Sequence, residues 1–341
     1  MSKIYINAAP RIKEKSEKNS SRVIAFDIFR FNAQYDILPT YKRYELTVKK
    51  SEVLLDALNR IKAEIDPSLS YRKSCRHGIC GSCALKAQNQ AVLACKANLF
   101  ELADRYGDVL MIDPLDKSLA IKDLIVDKTR FWDNYRAVSP WLEAPIEDAP
   151  KKENLIEPKV ADRLNGADAC VECGICFYSC PAVAKNKEFL GPAALAKSYR
   201  FVADVRDQKI NDRLRFVDSQ KTGVWDCAKC YQCYEVCPKE VSPIDKIIEL
   251  REKGFSAGVA KDSIASRHAK AFLTSIAKRG RLDEAANVRA SLGTFGALMR
   301  IREAFVMFRR GKLPFTTPKI EKRDEVKKLI DIASRSRKDD Q

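Results

Sequence analysis

The sequence predicts an α+β chain, with a small strand-bearing domain ahead of a mainly helical domain and a helical C-terminal extension. Three observations predict this. Segments that alternate apolar and polar residues end near residue 115, and beyond that point apolar residues recur at helical spacing. Twelve cysteines fall into three sets of four with none left over, one set in the strand-bearing part and two in the helical part. The length of 341 residues allows about two domains, or three if one is small.

Composition narrows the class. With 45% hydrophobic and 32% charged residues the chain is an ordinary globular protein, which excludes disordered and fibrous classes. No stretch approaches the roughly 18 consecutive apolar residues of a membrane-spanning helix. The first twenty residues are polar, with neither an apolar core nor a twin-arginine pair, so the chain is expected to carry no export signal of its own. A net charge of +16 suggests an acidic partner, an anionic membrane surface or nucleic acid.

In chain order, residues 1–22 are expected to form a mobile charged arm. VIAFDIFRFN (23–32) places Ile24, Phe26 and Ile28 on one side of a strand, and RYELTV (43–48) reads as its hairpin partner. Ser51 can cap a helix whose apolar stripe is Val53, Leu54, Ala57, Leu58 and Ile61. After the first cysteine loop, DVLMIDPL (108–115) is another strand, stopped by Pro114. These elements define a domain over 23–145, with SPWLEAPIEDAP (139–150) as the linker. A helical domain follows over 146–253. In it Pro192 starts a helix with Leu195, Tyr199, Val202 and Val205 on one face, and Pro243 opens another. The extension, 254–341, has no cysteine. Residues 251–341 carry 22 lysines and arginines against 11 acidic residues, so +11 of the net charge lies there. Leu298, Ile301, Phe305 and Phe308, flanked by Arg300, Arg302, Arg309 and Arg310, predict a basic amphipathic helix. It either packs on its own domain with a solvated charged face or docks to a partner or to lipid headgroups.

The cysteine spacing carries the chemistry. Cys75, Cys80, Cys83 and Cys95 read C-x4-C-x2-C-x11-C. Cys170, Cys173, Cys176 and Cys180, and then Cys227, Cys230, Cys233 and Cys237, both read C-x2-C-x2-C-x3-C-P. A disulfide framework expects a short secreted chain with a signal peptide. Structural zinc uses C-x2-C pairs, but it does not explain three close thiolates, a fourth and a proline, twice over. Iron–sulfur ligation remains. C-x2-C-x2-C-x3-C-P is the bacterial ferredoxin run, whose fourth cysteine reaches the other cluster, and C-x4-C-x2-C with a remote fourth is the plant-type [2Fe–2S] loop. Gly78 and Gly81 lie between its ligands, where a missing Cβ lets backbone N–H groups approach sulfur. The plant-type spacing assigns one [2Fe–2S] cluster to Cys75, Cys80, Cys83 and Cys95, and the crossed pattern of two-cluster ferredoxins divides the other eight cysteines. One [4Fe–4S] cluster goes to Cys170, Cys173, Cys176 and Cys237, and a second to Cys180, Cys227, Cys230 and Cys233. The alternative for Cys230 is a buried free thiol beside a three-iron cluster. Arg72, Lys73 and Arg76 would favour the reduced state of the first cluster; equally, they could form an exposed docking rim. No substrate-converting constellation accompanies these sites. His77 and His268 are the only histidines, neither with an evident nucleophile or carboxylate, and there is no G-x-G-x-x-G or P-loop pattern.

SCRHGICGSCAL (74–85), IKDLIVD (121–127), GPAALAKSYRFVADVRD (191–207) and VCPKEVSPIDKII (236–248) resemble signature stretches of the iron–sulfur subunit of succinate dehydrogenase and fumarate reductase. The resemblance covers about residues 23–253. It implies an N-terminal β-grasp [2Fe–2S] ferredoxin domain and an α-helical two-cluster ferredoxin domain. It further implies an electron path between an FAD-containing flavoprotein, which holds the dicarboxylate site, and a quinone-linked partner.

Three departures stand out. Cys230 occupies a position where the family usually has an apolar or small residue and builds a [3Fe–4S] cluster. The tryptophan usually found shortly after the Cys-Pro is absent from Cys180-Pro181-Ala182-Val183-Ala184, and Ala228 replaces a usual histidine. These changes resemble the methylmenaquinol-type fumarate reductase branch, as does the extra tail. That resemblance implies a heterotrimer with a cysteine-rich, heterodisulfide-reductase-like subunit and peripheral membrane attachment. It also implies a periplasmic location, reached by export with a partner; the cytoplasmic side is the alternative. A rival function is a subunit of a heterodisulfide-reductase-like or glycolate-oxidase-like complex, against which the first cysteine domain and IKDLIVD weigh. A nucleic-acid partner is not expected, because the basic tail lacks interleaved stacking aromatics.

Overall fold

The computed structural model describes residues 21–143, 155–162, 164, 166–218, 222–260, 263–312 and 320–339. They form two compact units. One holds the described residues up to Thr129 together with Val171–Ser179, and the other holds Arg130–Cys170 and the residues from Cys180 onward.

The first unit is built on a five-stranded mixed sheet. Strands β1 (Ser21–Arg30) and β2 (Thr40–Lys49) form the expected hairpin, with Ile24 opposite Leu46 and Phe26 opposite Tyr44. Period-two alternation buries Ile24, Phe26 and Ile28 completely. The strand begins at Ser21, so Ser21 and Arg22 are not part of a mobile arm; residues 1–20 of that expected arm lie outside the described residues. β3 (Ala84–Ala87) and β4 (Gln90–Leu93) make a second hairpin, and β5 (Val109–Asp113) joins the two hairpins in the order β2-β1-β5-β3-β4. β5 runs parallel to β1 and antiparallel to β3. A parallel neighbour requires a long crossover. Here the crossover contains the helix Leu54–Arg60, the cysteine loop and β3–β4, which is β-grasp organisation.

That helix buries Leu54, Leu55, Ala57 and Leu58, but Ser51 does not cap it. Val53 is held extended by a bridge to Asn98, so the helix starts after it, and Asp56 accepts the Val53 N–H at 3.1 Å. The first free N–H groups, of Leu54 and Leu55, donate to the carbonyls of Ala97 and Ala94 on either side of Cys95.

Two buried carboxylates fix the entry to the cysteine loop. Asp66 accepts from Lys42 (2.8 Å), Tyr44 (2.7 Å), Arg30 (2.7 Å) and Ser68. Asp123, between the short strands β6 (Ala120–Lys122) and β7 (Ile125–Val126), accepts from Arg30 Nε (3.0 Å) and the N–H of Ser70 (2.8 Å). Arg30, at the end of β1, thus joins both acids.

The second unit is helical. Pro192 occupies the first turn of the helix Pro192–Val202, whose Leu195, Tyr199 and Val202 are buried as expected. Val205 is not on that face: the helix ends at Val202 and Val205 is exposed. The chain turns there because the buried Asp204 accepts from Arg200 and Arg206, which draws the backbone out of the helix. Pro243 opens the helix Pro243–Ser256, which packs on Pro192–Val202 and on Ile210–Val217. The carbonyls of Val138, Ser139 and Trp141, at the start of the expected linker, are gripped by buried Arg213; residues 144–150 lie outside the described residues.

In the extension, Ile264–Arg279 packs on Glu284–Met299 and on Arg323–Asp339. The single helix expected through Leu298–Phe308 is instead two. Arg300 leaves the helical conformation (φ −99°, ψ 10°) and donates to Ala297 O in a tight closing turn, and Ile301–Arg309 starts afresh.

Hydrogen bonds from Lys42, Ser68, Tyr44 and Arg30 hold the Asp66 carboxyl well below the usual carboxylate range. A depressed folded-state pKa contributes stability above the unfolded value, and that contribution is lost as pH falls. Asp66→Asn should therefore destabilise the chain at pH 7 by about 3 kcal/mol, the cost of breaking a buried charged network. In anaerobic urea denaturation at a pH series, the gap from wild type should shrink below about pH 4. A gap independent of pH would show that the carboxylate charge is not what stabilises this corner.

Candidate cluster-binding sites

The first cysteine set is organised by left-handed turns and by the β3–β4 hairpin. Arg76 (φ 61°), Gly78 (φ 73°) and Gly81 (φ 67°) turn the loop so that successive N–H groups face inward. Cys75 Sγ accepts from the N–H groups of His77 (3.4 Å), Ile79 (3.3 Å) and Cys80 (3.3 Å), and these donors bring its thiol down to about 6. Cys83 precedes β3 and Cys95 follows β4; the Ala94 N–H donates to Cys83 O at 3.1 Å, so the two cysteines meet at the open end of the hairpin. Both are buried, and burial pushes the Cys83 thiol up to about 12. Four thiols, one poised as thiolate by three backbone donors, fit an iron–sulfur cluster held by cysteines. Arg72, Lys73, Arg76, His77 and Ile79 around them are exposed.

Val171–Ser179 packs on this loop. A Cβ at Gly81 would stand 2.5 Å from Val171 O and 2.9 Å from Cys173 Cβ, so the approach needs a residue without a side chain. Lys128 Nζ donates to Cys173 O (2.7 Å) and Tyr178 OH to Asp127 O (2.8 Å), tying IKDLIVD to the second cysteine run. Burial lowers the pKa of Lys128.

The two C-x2-C-x2-C runs share one backbone pattern. Around Cys173, Glu172 (φ 56°) and Gly174 (φ 85°) are left-handed; around Cys230, Lys229 (φ 55°) and Tyr231 (φ 60°) are too. Such conformations cost non-glycine residues on the order of 1 kcal/mol or more, so their repetition marks a constrained loop. Cys180, Cys227, Cys230 and Cys233 line one cavity, walled by Phe189, Pro192, Ile244 and Ile247. Burial beside the thiols of Cys227, Cys180 and Cys230 pushes Cys233 up to about 12. Burial also raises Cys180, although the N–H groups of Val183 and Ala182 point at its sulfur and oppose this. Cys230 is exposed, unlike a thiol packed as a core hydrophobe. The remaining set is divided between the units: Cys173 and Cys176 belong to the first, Cys170 and Cys237 to the second.

Two cations near the cysteines were not identified from the sequence. One is Lys128. The other is Arg251, which donates to Cys227 O (2.9 Å) and, through Nε and Nη2, to Val224 O. Its signal was available: Arg251 continues the buried Ile244, Ile247, Leu250 face of its helix, where a charge is out of pattern. Of the two histidines, His77 is exposed, and His268 Nδ1 lies 3.3 Å from Ser291 Oγ.

Residues 25–133 match the 2Fe-2S iron-sulfur cluster binding domain family, and residues 166–241 match the 4Fe-4S dicluster domain family. The chain is 33% identical over 257 residues to the mitochondrial succinate dehydrogenase [ubiquinone] iron-sulfur subunit of Dictyostelium discoideum, covering 73% of this chain and 88% of that one. It belongs to the iron–sulfur subunit family of succinate dehydrogenase and fumarate reductase. The fumarate reductase iron-sulfur subunit of Haemophilus influenzae is 36% identical over 239 residues, 67% of this chain and 91% of that one. In fold, this family member is similar to a chain of the Mycobacterium smegmatis Sdh1 complex in the apo form (TM-score 0.59, 22% identity, 70% of this chain and 98% of that one).

Gly81→Ala would meet both a left-handed φ and the Val171 carbonyl. Purified anaerobically, the variant should contain fewer irons than wild type and show at least a twofold weaker reduced [2Fe–2S] EPR signal. Full loading of that cluster would mean the contact is not needed to shape the loop.

Proposed function

We propose that this subunit relays electrons between a quinone-linked partner and an FAD-containing flavoprotein that interconverts fumarate and succinate. The observation that carries the reading is a chain built around three cysteine sets and belonging to this family. Clusters held on these sets would supply one-electron carriers in series. The chain's own residues shape, desolvate and charge the three sites.

Cys75, Cys80, Cys83 and Cys95 would hold a [2Fe–2S] cluster. Cys170, Cys173, Cys176 and Cys237 would hold a [4Fe–4S] cluster, on the strength of spacing and the dicluster match over 166–241. Cys180, Cys227, Cys230 and Cys233 would hold a second [4Fe–4S] cluster in place of [3Fe–4S]. Their shared cavity and the likeness of the Cys230 backbone to that of Cys173 support this. The working domains are 23–145, 146–253 and the extension 254–341.

The missing tryptophan and histidine favour a cysteine-rich, heterodisulfide-reductase-like partner in a heterotrimer, on the periplasmic face and exported with that assembly. Among the described residues no helix is long and apolar enough to cross a membrane. Helix Ile301–Arg309 exposes Ile301, Phe305 and Val306 alongside Arg302 and Arg309, which suits a peripheral helper contact with anionic lipid.

Washing membranes with high salt, or removing the cysteine-rich partner, should release the subunit. The released chain should reduce no fumarate with a viologen donor until the flavoprotein is added back. Turnover by the chain alone, or full retention on salt-washed membranes lacking the partner, would overturn this division of labour.

The Cys230 assignment has its own measurement. Anaerobically purified protein should hold about ten irons, against about nine with a three-iron cluster, and show no oxidised [3Fe–4S] EPR signal. Cys230→Ile should create that signal. A strong three-iron signal in undamaged wild type, unchanged by the substitution, would leave Cys230 outside the ligand set.

A further inference from the structure

We propose that Arg251 is the internal counter-charge of the third cysteine set. Its guanidinium anchors the Cys227 carbonyl and places a fixed positive charge beside the thiolates, favouring the reduced state of the cluster they hold. The inference rests on the assignment of a cluster to Cys180, Cys227, Cys230 and Cys233.

Arg251 is only 8% exposed, on a helix face that otherwise buries Ile244, Ile247 and Leu250. An arginine is cationic at any physiological pH, and a buried charge is costly unless something of opposite sign balances it. The protein partners of this guanidinium are all neutral. Nε and Nη2 donate to Val224 O, Nη2 also donates to Cys227 O at 2.9 Å, and the Trp225 ring lies 5.0 Å from Cζ. Among the described residues the one charged group acting on it is the Cys227 thiol, not a carboxylate. Carbonyl dipoles and a ring face orient the group but leave its charge uncompensated.

The cavity beside Cys227 supplies the missing sign. Four thiolates outweigh the positive charge of a cubane core, so the ligated cluster is an anion, and each electron it accepts makes it more negative. The walls, Phe189, Pro192, Ile244 and Ile247, are apolar and screen little. A cation fixed on the backbone of one ligand therefore interacts more favourably with the reduced cluster than with the oxidised one, which raises the potential. Lys246 of this helix does not share the position: it faces Glu249, whereas Arg251 donates to a cysteine of the set.

The test is an EPR-monitored redox titration of the assembled complex carrying Arg251→Gln or Arg251→Lys. With glutamine, the reduced-to-oxidised ratio of the third-set cluster at a fixed potential should fall about tenfold, a 59 mV decrease for a one-electron couple. With lysine, which keeps the charge and gives up the fork, the ratio should stay within about threefold of wild type. The [2Fe–2S] signal in the same sample should not move. Unchanged potential with glutamine, or equal falls with glutamine and lysine, would show that Arg251 only fastens the Val224–Cys227 turn. If the glutamine variant fails to load the cluster, loading of the lysine variant supports the charge, and failure of both overturns it. A wild type without a cluster on this set would instead refute the ligand assignment itself.

Discussion

The constraint on which the molecule is built is the electrostatic cost of taking thiolates out of water. A buried thiolate must find donors or positive charge close by, or it takes up a proton and ceases to be a ligand. The chain meets this demand locally. Left-handed residues at Arg76 and Gly78 direct three N–H groups onto Cys75, and left-handed turns recur at Glu172/Gly174 and Lys229/Tyr231 in the later runs. Where burial outweighs the backbone donors, it drives thiols such as Cys83 and Cys233 up to about 12, and cationic iron would be needed to hold these sulfurs as thiolates. Metal loading and folding of these loops are therefore coupled.

Loops under that strain need rigid ends, and buried ion pairs provide them. Arg30 reaches Asp66 and Asp123 together, and Asp123 holds the N–H of Ser70 just ahead of the first loop. In the helical unit Asp207 pairs with Arg213, which in turn grips the carbonyls of Val138, Ser139 and Trp141. Replacing such networks by apolar residues need not cost stability. Their value here is positional: each fastens backbone carbonyls or N–H groups that an apolar side chain could not bind.

Cysteine spacing and period-two alternation made the sites and the first hairpin legible, because both patterns reflect geometry that is local in sequence. Ile24, Phe26 and Ile28 face the core for that reason, and Pro192 and Pro243 open helices because a missing N–H costs nothing in a first turn. What the sequence hid depends on distant partners. Ser51 is a good capping residue, but the bridge from Val53 to Asn98 decides where the helix begins. Val205 continues an apolar period, yet Asp204 and its two arginines end the helix three residues earlier. Leu298 and Ile301 share a period across a break that only the backbone at Arg300 reveals. Arg251 violated the pattern and was the more informative for it.

Cys230 and Arg251 make sense together. A fourth thiolate adds negative charge to the third set and, by itself, lowers the potential of a cluster there relative to a three-iron form. The apolar walls work in the same direction, since a low-polarity cavity disfavours the more highly charged, reduced state. Both effects would make a cluster on the third set harder to reduce. A guanidinium buried against Cys227 opposes them without adding a ligand or opening the cavity to water. With Cys230 as the fourth ligand the chain would gain a firmer grip on the cluster, and Arg251 would keep that gain from pulling the potential far out of line with its neighbours.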